Sequence, residues 1–216
     1  MIDAVVFDLD GVLIDSEQVW DEVREGLARE RGGRYTERSQ RDMMGMSSVE
    51  WSRYMHDVVG LPESPEEINR EVVERLLARY AGSPPWIPGA LDAVRRLAAR
   101  WPLALASSSN REVIETVLAA GGIADCFRAT VSSEEVPRGK PAPDVYLEAA
   151  RRLGIDASRC AAIEDSRNGI RAAKAAGMRC IAVPNAHYPP GDATAEADVV
   201  VGSVAKLEPD VVDPGG

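Results

Sequence analysis

Cysteine is scarce in this chain and scattered where it occurs. Cys126, Cys160 and Cys180 form no Cys-x-x-Cys pair. That spacing does not fit a zinc site, and the odd number reads as reduced, mostly buried thiols of a cytoplasmic protein. His56 and His187 stand apart, with no cluster of metal ligands around either. Basic residues are in the minority: 25 Lys and Arg face 35 Asp and Glu, a formal net charge of −10. The acidic balance argues against a nucleic-acid partner or an anionic membrane surface. It does not argue against an anionic substrate, because a local site holding a cation can be positive inside an acidic protein. No apolar run approaches the roughly 20 residues that span a bilayer. The first apolar stretch begins almost at Met1, so no leader peptide is expected. Repeats and low-complexity segments are absent.

What is present is ordinary for a globular chain: 216 residues, 45% hydrophobic and 28% charged. That length suits one domain, or a core with a smaller insert. The most informative stretch is the first one, Val5-Val6-Phe7-Asp8-Leu9-Asp10-Gly11-Val12. A near-continuous apolar run is the mark of a parallel strand buried on both faces, and this one stops at a carboxylate. Ligands of parallel α/β sheets bind at the carboxyl ends of the strands. Side chains alternate along a strand, so Asp8 and Asp10 share a face. Gly11 then allows a sharp turn. Two like charges so close repel, a cation relieves them, and Mg²⁺ suits one or two carboxylates beside a phosphate.

Periodicity divides the rest in two. Val19, Trp20, Val23 and Leu27 recur at helical spacing until Gly32-Gly33. Residues 34–64 are less regular, with a turn at 43–48 leading into a helix over 48–59. Ser64-Pro65-Glu66-Glu67 is a helix start with Ser as N-cap, Pro at the first position and Glu at the third. Ile68, Val72, Leu76 and Tyr80 continue it as one stripe, and Gly82-Ser83-Pro84-Pro85 ends the block. Residues 16–83 thus read as all helix. Beyond them strands and helices alternate: a helix at 89–100, a strand at 103–106, a helix at 111–120 that Asn110 can cap, a strand at 128–132, a helix reaching Leu153, a strand at 161–163, a helix capped by Ser166, and strands at 180–183 and 199–201. That order implies right-handed crossovers and an α/β, doubly wound, mostly parallel sheet. The tail after Lys206 reads as poorly ordered.

Three strands end in polar residues: Asp8 and Asp10, Ser107, and Glu164 with Asp165. Parallel strands deliver those ends to one edge, where Lys140 of a Gly-Lys-Pro loop can join them. Acids for a cation, with a hydroxyl and an ammonium for phosphoryl oxygens, are what phosphoryl transfer requires. Single residues here have plainer readings. Asp15 suits a hydrogen bond in the connection to the helical block. Ser109 and Ser166 read equally as helix caps and as phosphate neighbours. Trp20, Met43, Met44, Met46 and Trp51 suit the interior of the helical block.

The ordered set resembles the haloacid dehalogenase superfamily of phosphatases and phosphomutases. Asp8-Leu9-Asp10-Gly11-Val12 is similar to its first motif, Ser107 to the second, Lys140 in Gly-Lys-Pro to the third, and Glu164-Asp165-Ser166 with Asn168-Gly169 to the fourth. The motifs span residues 8–169. The resemblance, strengthened by Ile14-Asp15-Ser16-Glu17, points to the β-phosphoglucomutase-like and sugar-phosphatase branch. It implies a Rossmann-like core, residues 1–15 and 84–216, with a small helical cap, residues 16–83, inserted after the first strand. It implies that Asp8 is the nucleophile and Asp10 the general acid/base, carrying a proton for part of the cycle. Mg²⁺ would be held by Asp8, the Asp10 carbonyl, Asp165 and, directly or through a neighbour, Glu164. Ser107 and Lys140 would bind the phosphate, with Ser108 as their loop neighbour. Gly45, Met46, Ser47 and Trp20 are the residues of the helical block expected to meet the substrate. Arg167 departs from the expected fourth motif.

Dehalogenases of the superfamily lack the second aspartate, so Asp10 disfavours dehalogenation. In β-phosphoglucomutase a histidine and an arginine help hold a bisphosphate; the corresponding positions here are Trp20 and Ser48. The expected activity is therefore hydrolysis of a small phosphomonoester, a sugar phosphate, through an aspartyl-phosphate. A phosphomutase and a catalytically silent binding protein are the alternatives. The expected partner is a small phosphorylated metabolite, and the expected state a monomer or weak homodimer.

Overall fold

The computed structural model of the chain describes residues 1–44, 46–185 and 189–215. Among these, six strands form one parallel sheet: β1 (Ala4–Phe7), β2 (Leu103–Ser107), β3 (Phe127–Ser132), β4 (Cys160–Glu164), β5 (Arg179–Ala182) and β6 (Val199–Val200). Their spatial order is β3-β2-β1-β4-β5-β6, and all five pairings are parallel. The first strand in sequence is thus central, flanked by β2 and β4. Its four residues are fully buried, as expected of an apolar run covered on both sides.

The two faces of the sheet differ in bulk. Val5, Phe7, Leu103, Leu105, Ile163 and Ile181 point to one side, where they meet α5 (Ala90–Ala98), α6 (Arg111–Ala120) and the chain end. Ala4, Val6, Ala104, Ala106 and Ala162 point to the other. Small side chains there let α7 (Asp144–Leu153) and α8 (Arg167–Ala175) lie close to the strands. Helices on both faces make the sheet doubly wound, as its sequence pattern predicts.

Between β1 and β2 the chain is helical: α1 (Glu17–Arg31), α2 (Glu37–Met43), α3 (Ser48–Tyr54) with a π-helical turn Met55–Val59, and α4 (Pro65–Tyr80). The predicted start of α4 is present as a reciprocal cap, with Ser64 N–H donating to Glu67 Oε2 at 3.0 Å and Glu67 N–H to Ser64 Oγ at 3.3 Å. Its stripe Ile68, Val72, Leu76 and Tyr80 is buried. The helix α2 is not predicted by periodicity, because Met43 is its one apolar residue; Thr36 starts it by a cap to Ser39.

Two expectations are corrected. The tail after Lys206 is ordered: Leu207 and Val212 are fully buried, and a short helix α9 (Pro209–Val212) brings Asp213 Oδ2 to accept from Ile2 N–H at 2.9 Å. Arg96 also clamps it, donating to Ala205 O at 3.1 Å and Leu207 O at 3.0 Å. Asn110 starts α6 without capping it by its side chain. That amide instead donates to Asn69 Oδ1 at 3.1 Å and Glu134 Oε1 at 2.8 Å, tying α4 to the sheet.

The helical block joins the sheet through two adjacent segments. Asp15 N–H donates to Pro85 O at 2.8 Å and Ile87 N–H to Leu13 O at 3.0 Å. Here too an expectation changes: the Asp15 backbone makes the bond, while its buried Oδ1 has no partner.

The fully buried Leu97 of α5 gives a direct measure of the large-residue face. Leu97→Ala is expected to lower unfolding free energy by about 2–5 kcal/mol, read as a lower urea midpoint with an unchanged denaturant slope.

Candidate active site

Alternation along the strands decides which groups meet. Phe7 pairs with Ile163, so the next residues, Asp8 and Glu164, emerge side by side. Both follow the small-residue face, toward α7. From that side come Lys140 and Tyr146. Lys140 Nζ lies 2.9 Å from Asp8 Oδ1 and 2.6 Å from Glu164 Oε1, and the Tyr146 hydroxyl donates to Glu164 Oε1 at 2.6 Å. The ammonium is 5.0 Å from the Tyr146 ring centroid. Glu164 is fully buried. Its other oxygen accepts from Asp165 N–H at 3.1 Å, Ser166 N–H at 3.3 Å and Ser166 Oγ at 3.2 Å. With five donors on two oxygens its lone pairs are committed, so Glu164 fits the role of a support for Lys140 and for the turn that carries Asp165.

Asp8, Glu164 and Asp165 each offer a carboxylate oxygen within 4.8 Å of the others, all buried. The Asp8 carboxyl is pushed up to about 8, chiefly by burial, with Lys140 pulling it down and Glu164 and Asp10 adding to the rise. Burial, then Glu164 and Asp8, raise Asp165 well above the usual carboxylate range. Burial alone would lower the Lys140 ammonium, but Asp8 and Glu164 overcome it and raise it. Three acids against one ammonium leave a desolvated excess of negative charge. Oxygen donors, closeness and charge excess all fit a divalent cation between Asp8 and Asp165.

Two glycines make room for this cluster. Gly11 turns the chain after Asp10 at φ +77°, and a β-carbon there would overlap the Asp165 carboxylate. One at Gly169, on α8, would overlap the Glu164 carboxylate.

Asp10 is held apart, by hydroxyls. Oδ1 accepts from Ser16 Oγ and from Trp20 Nε1, the latter at 3.3 Å, and Oδ2 from Ser109 Oγ at 2.7 Å and Ser107 Oγ at 3.3 Å. The placement of Ser107 differs from expectation. It follows Leu105 on the opposite strand face from Asp8, is fully buried, donates to Asp10 and accepts Ser109 N–H at 2.9 Å. The cavity wall at this point is Ser108 and Ser109.

The cavity, about 310 Å³, opens over Asp8, Asp10, Lys140 and Asp165. Of the residues expected from the helical block, Trp20 and Met46 line it. Ser47 does not: its hydroxyl and N–H both donate to Glu50 Oε2, at 2.7 and 2.8 Å, and start α3. Gly45 lies outside the described residues. Met43 and Trp51 serve as both core and wall, and the half-buried Met44 as wall alone. Sequence reasoning missed Glu17, Arg24 and Tyr146. Tyr146 carries no signal beyond its place on the apolar face of α7. Glu17 and Arg24 look like solvated helix charges, although Glu17, Trp20 and Arg24 follow one another at spacings of three and four and therefore share a face. Arg167 reaches the wall while pairing with Asp192.

A parallel sheet whose central strand ends in Asp8, with Lys140, Glu164 and Asp165 drawn to that end, places the chain in a known class. It belongs to the haloacid dehalogenase-like hydrolase family, whose sequence profile matches residues 2–177. Hexitol phosphatase B of Escherichia coli K12 is 36% identical over 214 residues, covering 94% of this chain and 93% of that protein. A phosphorylated carbohydrates phosphatase of Thermotoga maritima is 32% identical, with 98% and 96% covered. Among solved structures, CbbY of Rhodobacter sphaeroides in complex with xylulose-1,5-bisphosphate superimposes with a TM-score of 0.83 at 28% identity, covering 96% of each chain. Among the described residues no helix is long and apolar enough to cross a membrane.

The Glu17 carboxyl is pushed from 4.5 to about 7, by burial and then Asp10, against Arg24. The folded chain thus holds this proton more tightly than the unfolded chain. Its contribution to stability is complete below pH 4.5 and lost as pH rises to about 7. Glu17→Gln is expected to raise the melting temperature at pH 8 and to change it little at pH 4. Equal shifts at both pH values would refute the assignment.

Proposed function

We propose that this chain is a Mg²⁺-dependent phosphatase that hydrolyses a small phosphomonoester, a sugar phosphate, through an aspartyl-phosphate. One observation carries the reading: Asp8, at the carboxyl end of the central strand, lines a cavity with Lys140 at 2.9 Å and Asp10 held nearby by four side-chain donors. The names of the phosphatase relatives support it.

Asp8 attacks phosphorus through one carboxylate oxygen, and the ester P–O bond breaks on the opposite side. Asp10 delivers a proton to the departing alkoxide and then takes one from the water that cleaves the acyl phosphate, so its protonation is restored each cycle. Lys140 holds a phosphoryl oxygen and favours the ionised form of Asp8 against its burial; Ser108 and Ser109 complete the phosphate side. Ser107 acts at one remove, fixing Asp10 and the Ser109 N–H. Mg²⁺, on Asp8, Asp165 and the Asp10 carbonyl, would offset the charge of the phosphoryl oxygens. Glu164 positions Lys140 and the 164–166 turn.

In this reading residues 16–83 form a cap over the core of 1–15 and 84–216. Trp20, Met46 and Trp51 shield the cavity from water. Three free cysteines support a cytoplasmic location, and we take the chain to act as a monomer or weak homodimer on a small phosphorylated metabolite.

Release of phosphate from p-nitrophenyl phosphate is expected to require Mg²⁺, to stop on chelation and to return when the ion is restored. Asp8→Asn is expected to cost about 10³-fold or more in turnover. Turnover surviving in Asp8→Asn, or none from a broad phosphomonoester panel with folded protein and Mg²⁺, would sink the proposal.

A further inference from the structure

The wall of the cavity contributed by the helical block includes a cation that the hydrolytic steps leave unused. Arg24, on α1, is 8% exposed. Its guanidinium carbon lies 4.7 Å from the ring centroids of both Trp20 and Trp51. The two indoles meet edge to face, their centroids 5.9 Å apart, and the guanidinium carbon lies over both rings. Nε is buried with no hydrogen-bond partner. Among the described residues no carboxylate bonds to the guanidinium, and Glu17, Asp10 and Asp21 act on it only as more distant charges. Two of those three are engaged elsewhere: Asp10 by its four donors, and Asp21 by the Tyr35 hydroxyl at 2.7 Å.

A guanidinium has five N–H donors in a planar fork and no acceptor. With an indole ring on two sides of its carbon, its N–H groups are what it can offer to a ligand in the cavity that it lines. A desolvated cation without a bonded anion is costly to hold, and the partner that best matches the fork is a planar or tetrahedral oxyanion taken bidentately. Arg41, on α2, lines the same cavity. The sequence comparison with β-phosphoglucomutase leaves a second anion without a partner, because Trp20 and Ser48 are uncharged. The fold supplies cations from other positions.

We propose that Arg24 is a specificity-determining residue that receives a second oxyanion of the substrate, a carboxylate or a phosphate, remote from the phosphoryl group at Asp8. The preferred substrates are then acidic phosphomonoesters: phosphorylated sugar acids or sugar bisphosphates. This rests on the phosphatase reading above, and narrows it.

The test uses substrates matched except at one end: a hexitol 6-phosphate, the aldonate 6-phosphate in which the terminal CH₂OH is a carboxylate, and the hexitol 1,6-bisphosphate. In the wild-type chain at least one acidic member is expected to exceed the neutral one by about tenfold or more in kcat/KM, chiefly through KM. The carboxylate and bisphosphate arms tell which oxyanion is received. Arg24→Met is expected to bring the ratio close to one, and Arg24→Lys to restore part of it. A wild-type ratio of one or less, a ratio that survives Arg24→Met, or an equal loss on all three substrates would overturn the proposal, the last by showing a merely structural role. Should no substrate be turned over, the phosphatase reading fails separately. Calorimetric titration of the Asp8→Asn chain with the same three compounds, with and without Arg24→Met, then decides the Arg24 assignment by the same ratio.

Discussion

One ammonium, Lys140, organises the reacting end of the sheet. It lies between Asp8 on β1 and Glu164 on β4 with 3% of its side chain exposed, where water does little to screen the pair charges. Removing it would leave buried carboxylates facing one another, which a folded chain tolerates poorly. The Tyr146 hydroxyl and the 164–166 turn then fix Glu164 in turn. The arrangement is graded: Glu164, which does not line the cavity, has every oxygen committed, while Asp8 Oδ1 has an ion pair but no aligned hydrogen bond. The less satisfied carboxylate is the one that faces the opening. Strain of that kind is what a nucleophile and a cation site both require.

The second aspartate obeys a different rule. Asp10 meets hydroxyls and an indole N–H, and its four bonds come from two segments: Ser16 and Trp20 at the start of the helical block, and Ser107 and Ser109 at the end of β2 and just beyond it. The two acids of one short motif therefore have different bonded partners, an ammonium for Asp8 and neutral donors for Asp10. Separate surroundings are how a pair of carboxyl groups is assigned different proton-handling work.

The sheet, its parallel sense and the convergence of strand ends were readable because each rests on local chemistry: apolar runs too continuous for a half-exposed strand, and polar residues where those runs stop. The start of α4 was readable for the same reason. What was hidden depended on tertiary packing. Leu207 and Val212 look like a frayed tail until Asp213 is seen holding Ile2. Ser107 looks like a phosphate ligand until strand alternation turns it away from Asp8. Arg24 is one charge among many on a polar helix until two tryptophans 31 residues apart in sequence close on it. No local pattern encodes such a meeting.

The two crossings between helical block and sheet, at 13–15 and 85–87, lie against each other and share backbone hydrogen bonds. Mechanically they are a single pivot line: swivelling about it would keep those bonds, whereas sliding along it would break them. Ser16 sits one residue beyond that line, with its hydroxyl on Asp10. A swing of the block would thus be felt first at Asp10, so that in the proposed function admitting a ligand and handling a proton would draw on the same few ångströms of backbone.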